Sequence, residues 1–292
     1  MISRQLTDHS AHKTAFVVGA SKGLGLTIVK KLINEGWAVG TFSRTTENLT
    51  TLAHDDIDIF KGDATEFDGL QTAICTFSDR HEQKLSRLIF VAGAANAGHF
   101  TDIPKSELQN MFSLNVLSPA VSIQSAIPFL ENSGHGEIFL ASSVSALHGT
   151  PGFAMYSASK TAISAIAEAL SLELEPKGIK VFEVVLGSIG SGGIQRSKGW
   201  RKIEEKYYSA PVKTSKPYTH FKSISVPMDP AMAADLMLKD TANKQSGRVY
   251  LPKSIRLLSF MFRFVPGYGK FTMRLFFKRR LSGMLSELSE PY

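Results

Sequence analysis

A single α/β domain built on an open, doubly wound parallel sheet is predicted by three features of the sequence. Short apolar runs alternate with helix-period stretches along most of the chain. A glycine-rich turn, "GASKGLG", joins the first apolar run to the first helical one. The 292 residues are 43% hydrophobic and 20% charged, enough apolar material for one large core. In such a sheet the functional site is expected at the carboxyl ends of the strands.

The apolar runs at 15–19, 37–43, 57–61, 88–92, 136–142, 180–186 and 248–251 read as strands. They are nearly continuous rather than alternating, as strands covered on both faces must be. Between them, 24–35, 66–80, 106–130, 156–175 and 230–243 carry apolar residues at helical spacing. Residues 1–12 form a polar N-terminal tail, and the domain runs over 13–252 with no internal repeat. Two segments break the rhythm. Residues 188–226 are long and polar, with Trp200, Tyr207, Tyr208, Tyr218 and Phe221 scattered through them; such a loop is expected to cover an apolar substrate. Residues 253–292 form an extension beyond the last strand.

That extension holds most of the chain's charge. It carries eight Lys/Arg and two Asp/Glu, a net +6 of the total +7, and leaves the domain near neutral. With no basic stripe and interleaved aromatics in the domain, nucleic acid is not an expected partner. In "SIRLLSFMFRF", Arg256, Ser259 and Arg263 form one narrow polar stripe among apolar residues. Beyond Pro266 and Gly267, Lys270, Arg274 and Lys278 form a second. Two short basic, Phe-rich helices fit a peripheral membrane anchor. They equally fit a cover over the substrate mouth or a contact between subunits.

The polar start, "MISRQLTDHSAHKT", has no apolar signal region, and no window reaches the ~18 uninterrupted apolar residues of a membrane span. A cytoplasmic setting is expected, peripheral to a membrane if the extension docks on one. The lone Cys75 excludes an intrachain disulfide and a cysteine-cluster metal site, and its helical context reads as core filler. No metal is expected.

Gly19, Gly23 and Gly25 follow a buried strand and open a helix. In that context the glycines let backbone approach a pyrophosphate, which the helix N-terminus favours. The spacing, G-x3-G-x-G, would by itself also suit an ordinary tight turn. More telling is the end of the second strand, "TFSRTT", where Ser43 and Arg44 stand in place of the carboxylate that binds the ribose of NAD. Arg44, with Lys22 reaching from the turn, would attract a 2′-phosphate. The expected cofactor is therefore NADP(H).

In "SSVSALHGTPGFAMYSASK", Tyr156 and Lys160 are four apart and share one helix face, and Ser143 ends a buried strand. A tyrosine with an ordinary pKa near ~10 needs a nearby cation to exchange protons at neutral pH. The order of glycine turn, Asp63, Asn115, Ser143, Tyr156 and Lys160 closely resembles the short-chain dehydrogenase/reductase family over roughly 13–251. The resemblance implies a Rossmann-type doubly wound sheet in one domain with a helical C-terminal extension. It implies Tyr156 as general acid/base, Ser143 orienting the carbonyl, Lys160 on the nicotinamide ribose and lowering the tyrosine pKa, and Asn115 holding a relay water.

The resemblance also extends the nucleotide site. From the turn it takes Gly19, Ser21, Lys22, Gly23, Leu24 and Gly25; from the next two strand ends, Ser43, Arg44 and Asp63. Ala92 and Gly93 follow the fourth strand, and Gly187, Ile189 and Ser191 the sixth, with Tyr156 and Lys160 on the ribose. Asp63 reads equally as a strand-end cap. The chain departs from the family pattern at Val18, at "FVAG" and at Leu186, which touch the cofactor loops and leave the four catalytic positions intact. His148, between Ser143 and Tyr156, is a further candidate to face the substrate.

The implied function is an NADPH-dependent carbonyl reductase acting on an apolar ketone of lipid or steroid type. The implied assembly is a homodimer or homotetramer through the helices of Asn115 and Tyr156. Two alternatives remain open at this point: an NADPH-binding sensor without turnover, and a dehydratase or epimerase using the same residues.

Overall fold

The computed structural model describes residues 13–190, 227–265 and 267–271, except 53, 55, 96–99, 151, 242 and 243. The N-terminal tail, Ser191, nearly all of the predicted substrate cover and the second predicted basic helix beyond residue 271 lie outside the described residues.

Seven parallel strands form one sheet in the order β3-β2-β1-β4-β5-β6-β7. They are β1 (Thr14–Val18), β2 (Ala38–Ser43), β3 (Ile57–Lys61), β4 (Arg87–Phe90), β5 (Glu137–Ser143), β6 (Lys180–Leu186) and β7 (Gly247–Leu251). Each coincides with a predicted run to within two residues at either end. The order reverses between β1 and β4, so the connections leaving these two strands diverge and open a crevice at their carboxyl ends.

Residues on β1 alternate between two cores. Phe16 and Val18 face the layer of α3 (Phe67–Arg80), α5 (Ser118–Ser133) and α6 (Ala154–Glu173), while Ala15 and Val17 face that of α1 (Gly23–Asn34) and α7 (Pro230–Thr241). Both faces being covered explains the unbroken apolar runs. Gly40 on β2 is required by one of these cores: a Cβ there would stand 2.5 Å from the Phe16 ring and 2.8 Å from Phe77. Cys75, on α3, packs partly buried against the same layer, and burial pushes its thiol pKa up.

The predicted helix over 106–130 is not one regular helix. It is α4 (Lys105–Phe112), a π-helical turn over Ser113–Leu117 and α5. By length and hydropathy the whole stretch, Lys105–Ser133, could cross a membrane. In the fold it packs on α3 and the sheet as a core helix. A short helix that the sequence did not reveal, α2 (Glu47–Thr50), follows β2.

The extension begins with the predicted helix, here α8 (Ile255–Phe264), but in a different orientation from the one its polar stripe implied. Ser259 is buried and its hydroxyl lies 3.1 Å from that of Tyr250 on β7, so it does not share a solvent stripe with Arg256 and Arg263. Ile255 packs against Gly187, where a Cβ would be 3.2 Å from it. One hydrogen bond to β7 and this apolar anchor outweigh the helix's own amphipathicity.

Phe16→Ala should destabilise the domain by about 3–5 kcal/mol, since Phe16 is fully buried and its ring contacts both Phe60 and Phe77. Urea unfolding measures this; a loss below about 1 kcal/mol would mean that the layer collapses around the gap.

Candidate active site

The glycine turn owes its shape to contacts that side chains would block. Gly19 adopts a φ of +92°, and a Cβ on it would lie 2.5 Å from the backbone nitrogen of Ala92. A Cβ on Gly25 would lie 2.2 Å from the carbonyl oxygen of Gly19. The turn is thus pressed against both the loop after β4 and its own helix, which holds it at the crevice. Lys22 is the residue before α1 and supplies no side-chain acceptor to the helix, so first-turn N–H groups remain for an anion. Leu24 turns its side chain into the core, leaving only its backbone to face a ligand. The Asn48 amide of α2 donates to the Ser21 carbonyl at 3.0 Å and steadies the turn from outside, a contact without a sequence signal.

At the ends of β2 and β3, the expected residues are brought together but are partly engaged with one another. Ser43 is buried and its hydroxyl donates to the Thr45 carbonyl at 2.9 Å, so it is a turn former rather than a free ligand group. Asp63 accepts from the N–H and hydroxyl of Thr65 at 2.9 and 2.8 Å, as a strand-end cap does. Its other oxygen lies 3.8 Å from Arg44, whose side chain is 73% exposed. Such an exposed pair is worth less than about 1 kcal/mol, so a phosphate could draw Arg44 away.

Ala92 and Gly93 follow β4, and Gly93 leads directly to Asn115: a Cβ there would stand 3.3 Å from its Oδ1 and 3.4 Å from Lys160 Nζ. Asn115 sits in the π-helical turn, almost wholly buried. Its Oδ1 accepts from Ala94 N–H at 2.9 Å, and its Nδ2 donates to Ala94 O at 2.8 Å and to Ser159 Oγ at 3.0 Å. Ser159 in turn donates to the Tyr156 carbonyl at 2.8 Å. Both Nδ2 protons are therefore committed to joining the β4 loop to α6, while Oδ1 keeps a second lone pair with which to hold a water. Ala94 and Ser159 are members of the site that the sequence reading missed; the signal was a serine directly before Lys160 on the buried face.

Ser143 ends β5, accepts from Ser145 N–H at 3.2 Å, and its hydroxyl stands close enough to that of Tyr156 to favour the phenolate. Phe153 meets the Tyr156 ring edge-on, with centroids 6.3 Å apart. Lys160 is buried and donates to the Ala141 carbonyl at 2.8 Å, with Nζ 6.0 Å from the Tyr156 ring centroid. Burial lowers the Lys160 pKa to about 8. Burial also pushes the Tyr156 phenol above its ordinary value, and the nearby Ser143 hydroxyl offsets this only in part. The expected lowering of Tyr156 by Lys160 is absent from this balance, because the dry surroundings penalise phenolate and ammonium alike.

After β6, Gly187 N–H donates to the Leu251 carbonyl at 2.8 Å, and Ile189 pairs with Met228 in a single parallel bridge, closing the far side of the crevice. His148 stands at the rim: its Nδ1 is 2.8 Å from the Gly149 carbonyl and its ring is 5.3 Å from that of Phe262 on α8. Gly269 lies so close to His148 that a Cβ would meet it at 2.1 Å. The imidazole is therefore built into the contact between the extension and the loop that follows Ser143. Among the described residues no cluster of three metal-ligating side chains occurs.

A family model described as short chain dehydrogenase matches residues 13–202 of the chain. A probable short-chain type dehydrogenase/reductase of Helicobacter pylori, VdlC, is 31% identical over 177 residues, 61% of this chain. The chain spans 65% of that protein's length. The L-2,3-butanediol dehydrogenase of Corynebacterium glutamicum is 28% identical over 82% of this chain and 96% of its own. The crystal structure of a short-chain dehydrogenase from Streptomyces avermitilis matches with a TM-score of 0.72 and 25% identity, across 93% of this chain and 99% of the other.

Two outcomes test the site without a substrate. Below about pH 8 both folded and unfolded chains carry a protonated Lys160, whereas between about 8 and 10.5 only the unfolded chain does, so its contribution makes stability rise with pH there. Lys160→Met should stabilise the nucleotide-free protein at neutral pH and flatten that rise in urea unfolding; an unchanged slope would assign it to another group. Asn115→Ala should cost on the order of 3 kcal/mol and weaken nucleotide binding, measured by unfolding and by fluorescence titration with NADPH, because it strands the Ala94 backbone and Ser159.

Proposed function

Since the chain belongs to the short chain dehydrogenase family, we propose that it is an NADPH-dependent carbonyl reductase acting on an apolar ketone of lipid or steroid type. The observation that carries this reading is the approach of the Ser143 and Tyr156 hydroxyls beside a buried lysine that no carboxylate among the described residues neutralises. The residues present fit a dinucleotide: the glycine turn closes against the β4 loop, the first turn of α1 is uncapped, and a mobile-length guanidinium stands at the end of β2. Arg44 and Lys22 would hold the 2′-phosphate, Asp63 the adenine side, and Gly187, Ile189 and Ser191 the carboxamide side.

The bound cofactor would supply a hydride to the carbonyl carbon. Tyr156 donates its phenolic proton to the carbonyl oxygen, and Ser143 donates a hydrogen bond that fixes that oxygen in place. A tyrosine raised by burial keeps its proton at neutral pH, which suits a general acid. Lys160 holds the ribose side and stabilises the phenolate left after transfer. The proton balance closes when Tyr156 is recharged from solvent. The reading includes a homodimer or homotetramer through the helices of Asn115 and Tyr156, on which Leu117 and Leu172 stand exposed at 48% and 69%. It also includes a cytoplasmic setting with peripheral membrane contact.

Oxidation of NADPH followed against aldehydes, long-chain 3-keto-lipids and ketosteroids tests the reaction. Tyr156→Phe should lower kcat by about 10²–10⁴-fold on whichever ketone is turned over. Retained turnover would remove Tyr156 from the chemistry, and NADPH binding with no turnover on any member of the panel would favour a sensor. Arg44→Glu should raise the KM for NADPH at least about tenfold while sparing NADH, through loss of a charge-assisted phosphate contact; equal effects on both would place the 2′-phosphate elsewhere.

A further inference from the structure

Helix α8 has an inner face that is spoken for and an outer face that is not. Ile255 packs on Gly187, Ser259 bonds Tyr250, and Phe262 meets His148 at a tilt, all on one side. On the other side Leu257, Phe260 and Phe264 are 58%, 55% and 62% exposed, with the two Phe rings side by side at 4.7 Å. Phe271, in the turn of helix that follows, adds a side chain 59% exposed. Large apolar side chains gathered on one exposed surface mark a contact site. Arg256 and Lys270 are exposed around them, and among the described residues neither pairs with a carboxylate; Arg263, also exposed, borders a pocket that it shares with Glu168 and Glu183. The nearby Lys253, by contrast, is held by Asp240 at 3.1 Å.

We propose that this outer face of α8 docks the protein on an anionic phospholipid surface and sets the active-site crevice against the bilayer. Charge decides the occupant. A second copy would bring the same cations against themselves, whereas an anionic headgroup layer pairs with Arg256 and Lys270 while the Phe rings enter the acyl boundary. Orientation follows from the fold. All seven strands are parallel, and α8 starts four residues after the end of β7, so its first turn lies at the same edge of the sheet as Ser143 and Gly187, its middle is tied to the loop of His148 through Phe262, and its last turn borders Gly247 at the start of β7. An apolar ketone dissolved in the bilayer would then approach the crevice past the loop of His148, without crossing water. This route rests on the carbonyl-reductase reading; the docking itself does not.

The test is flotation of the full-length protein with phosphatidylcholine vesicles, with and without about 30% phosphatidylserine, at low salt and at about 1 M salt, where the Debye length falls to about 3 Å. NADPH binding serves as the control for folding. Binding should require the anionic lipid, fall with salt, and weaken at least about tenfold in the double variant Phe260→Ser, Phe264→Ser, with NADPH affinity unchanged. Undiminished binding of that variant would overturn the proposal, as would a change in oligomeric state by sedimentation in place of a change in lipid binding. Turnover of a water-soluble ketone and of a vesicle-embedded one separates the two readings. Loss of only the latter in the variant supports delivery from the bilayer, equal turnover of both refutes it, and absence of turnover in the parent with lipid binding intact counts against the reductase alone.

Discussion

The site depends on the amide of Asn115. Three hydrogen bonds from one side chain tie the loop after β4 to α6, and through Ser159 to the backbone of Tyr156 itself. The β4 loop in turn presses on Gly19, so the nucleotide turn and the catalytic helix are registered against each other through one residue. The π-helical turn is what makes this geometry available. An extra residue in the turn rotates the helix locally, and such turns are concentrated at functional positions because regular helix would favour local stability instead.

Around that clamp the interior is charged at a cost. An ammonium buried beside a backbone carbonyl gains one hydrogen bond and loses its hydration, which is why the Lys160 pKa falls. Under the proposed reaction, the phenolate left by Tyr156 would repay that desolvation. Sites of this kind trade stability for readiness to react.

Much of the fold was legible because both faces of the sheet are covered. Runs such as the one around Phe16 and Val17 are apolar throughout, and the glycine turn ends the first of them unmistakably. Tyr156, Lys160, Ser143 and Gly93 fell where their spacing put them. The orientation of α8 was not legible, since the helical wheel treats Ser259 as solvent-facing and cannot know that Tyr250 waits beneath it. Nor was the engagement of Ser43 with Thr45 or of Asn48 with Ser21, because each is a contact of side chain to backbone that no hydrophobic period encodes. The π-helical turn was likewise invisible: the apolar period survives a single inserted residue.

The middle of β6 carries one residue that breaks its apolar run. Glu183 is 2% exposed in the interior of the sheet, held by Arg248 of β7 and by Ser164 of the catalytic helix. Breaking a buried pair by removing one partner costs about 3–5 kcal/mol, because a bare charge is left behind. As the chain emerges during synthesis, β6 is complete more than sixty residues before Arg248 arrives. Until then an unpaired Glu183 carboxylate favours hydration or protonation over burial. The last strand of the sheet thus does more than extend it: β7 brings the charge that lets the carboxylate lie beneath α6, the helix of Tyr156 and Lys160.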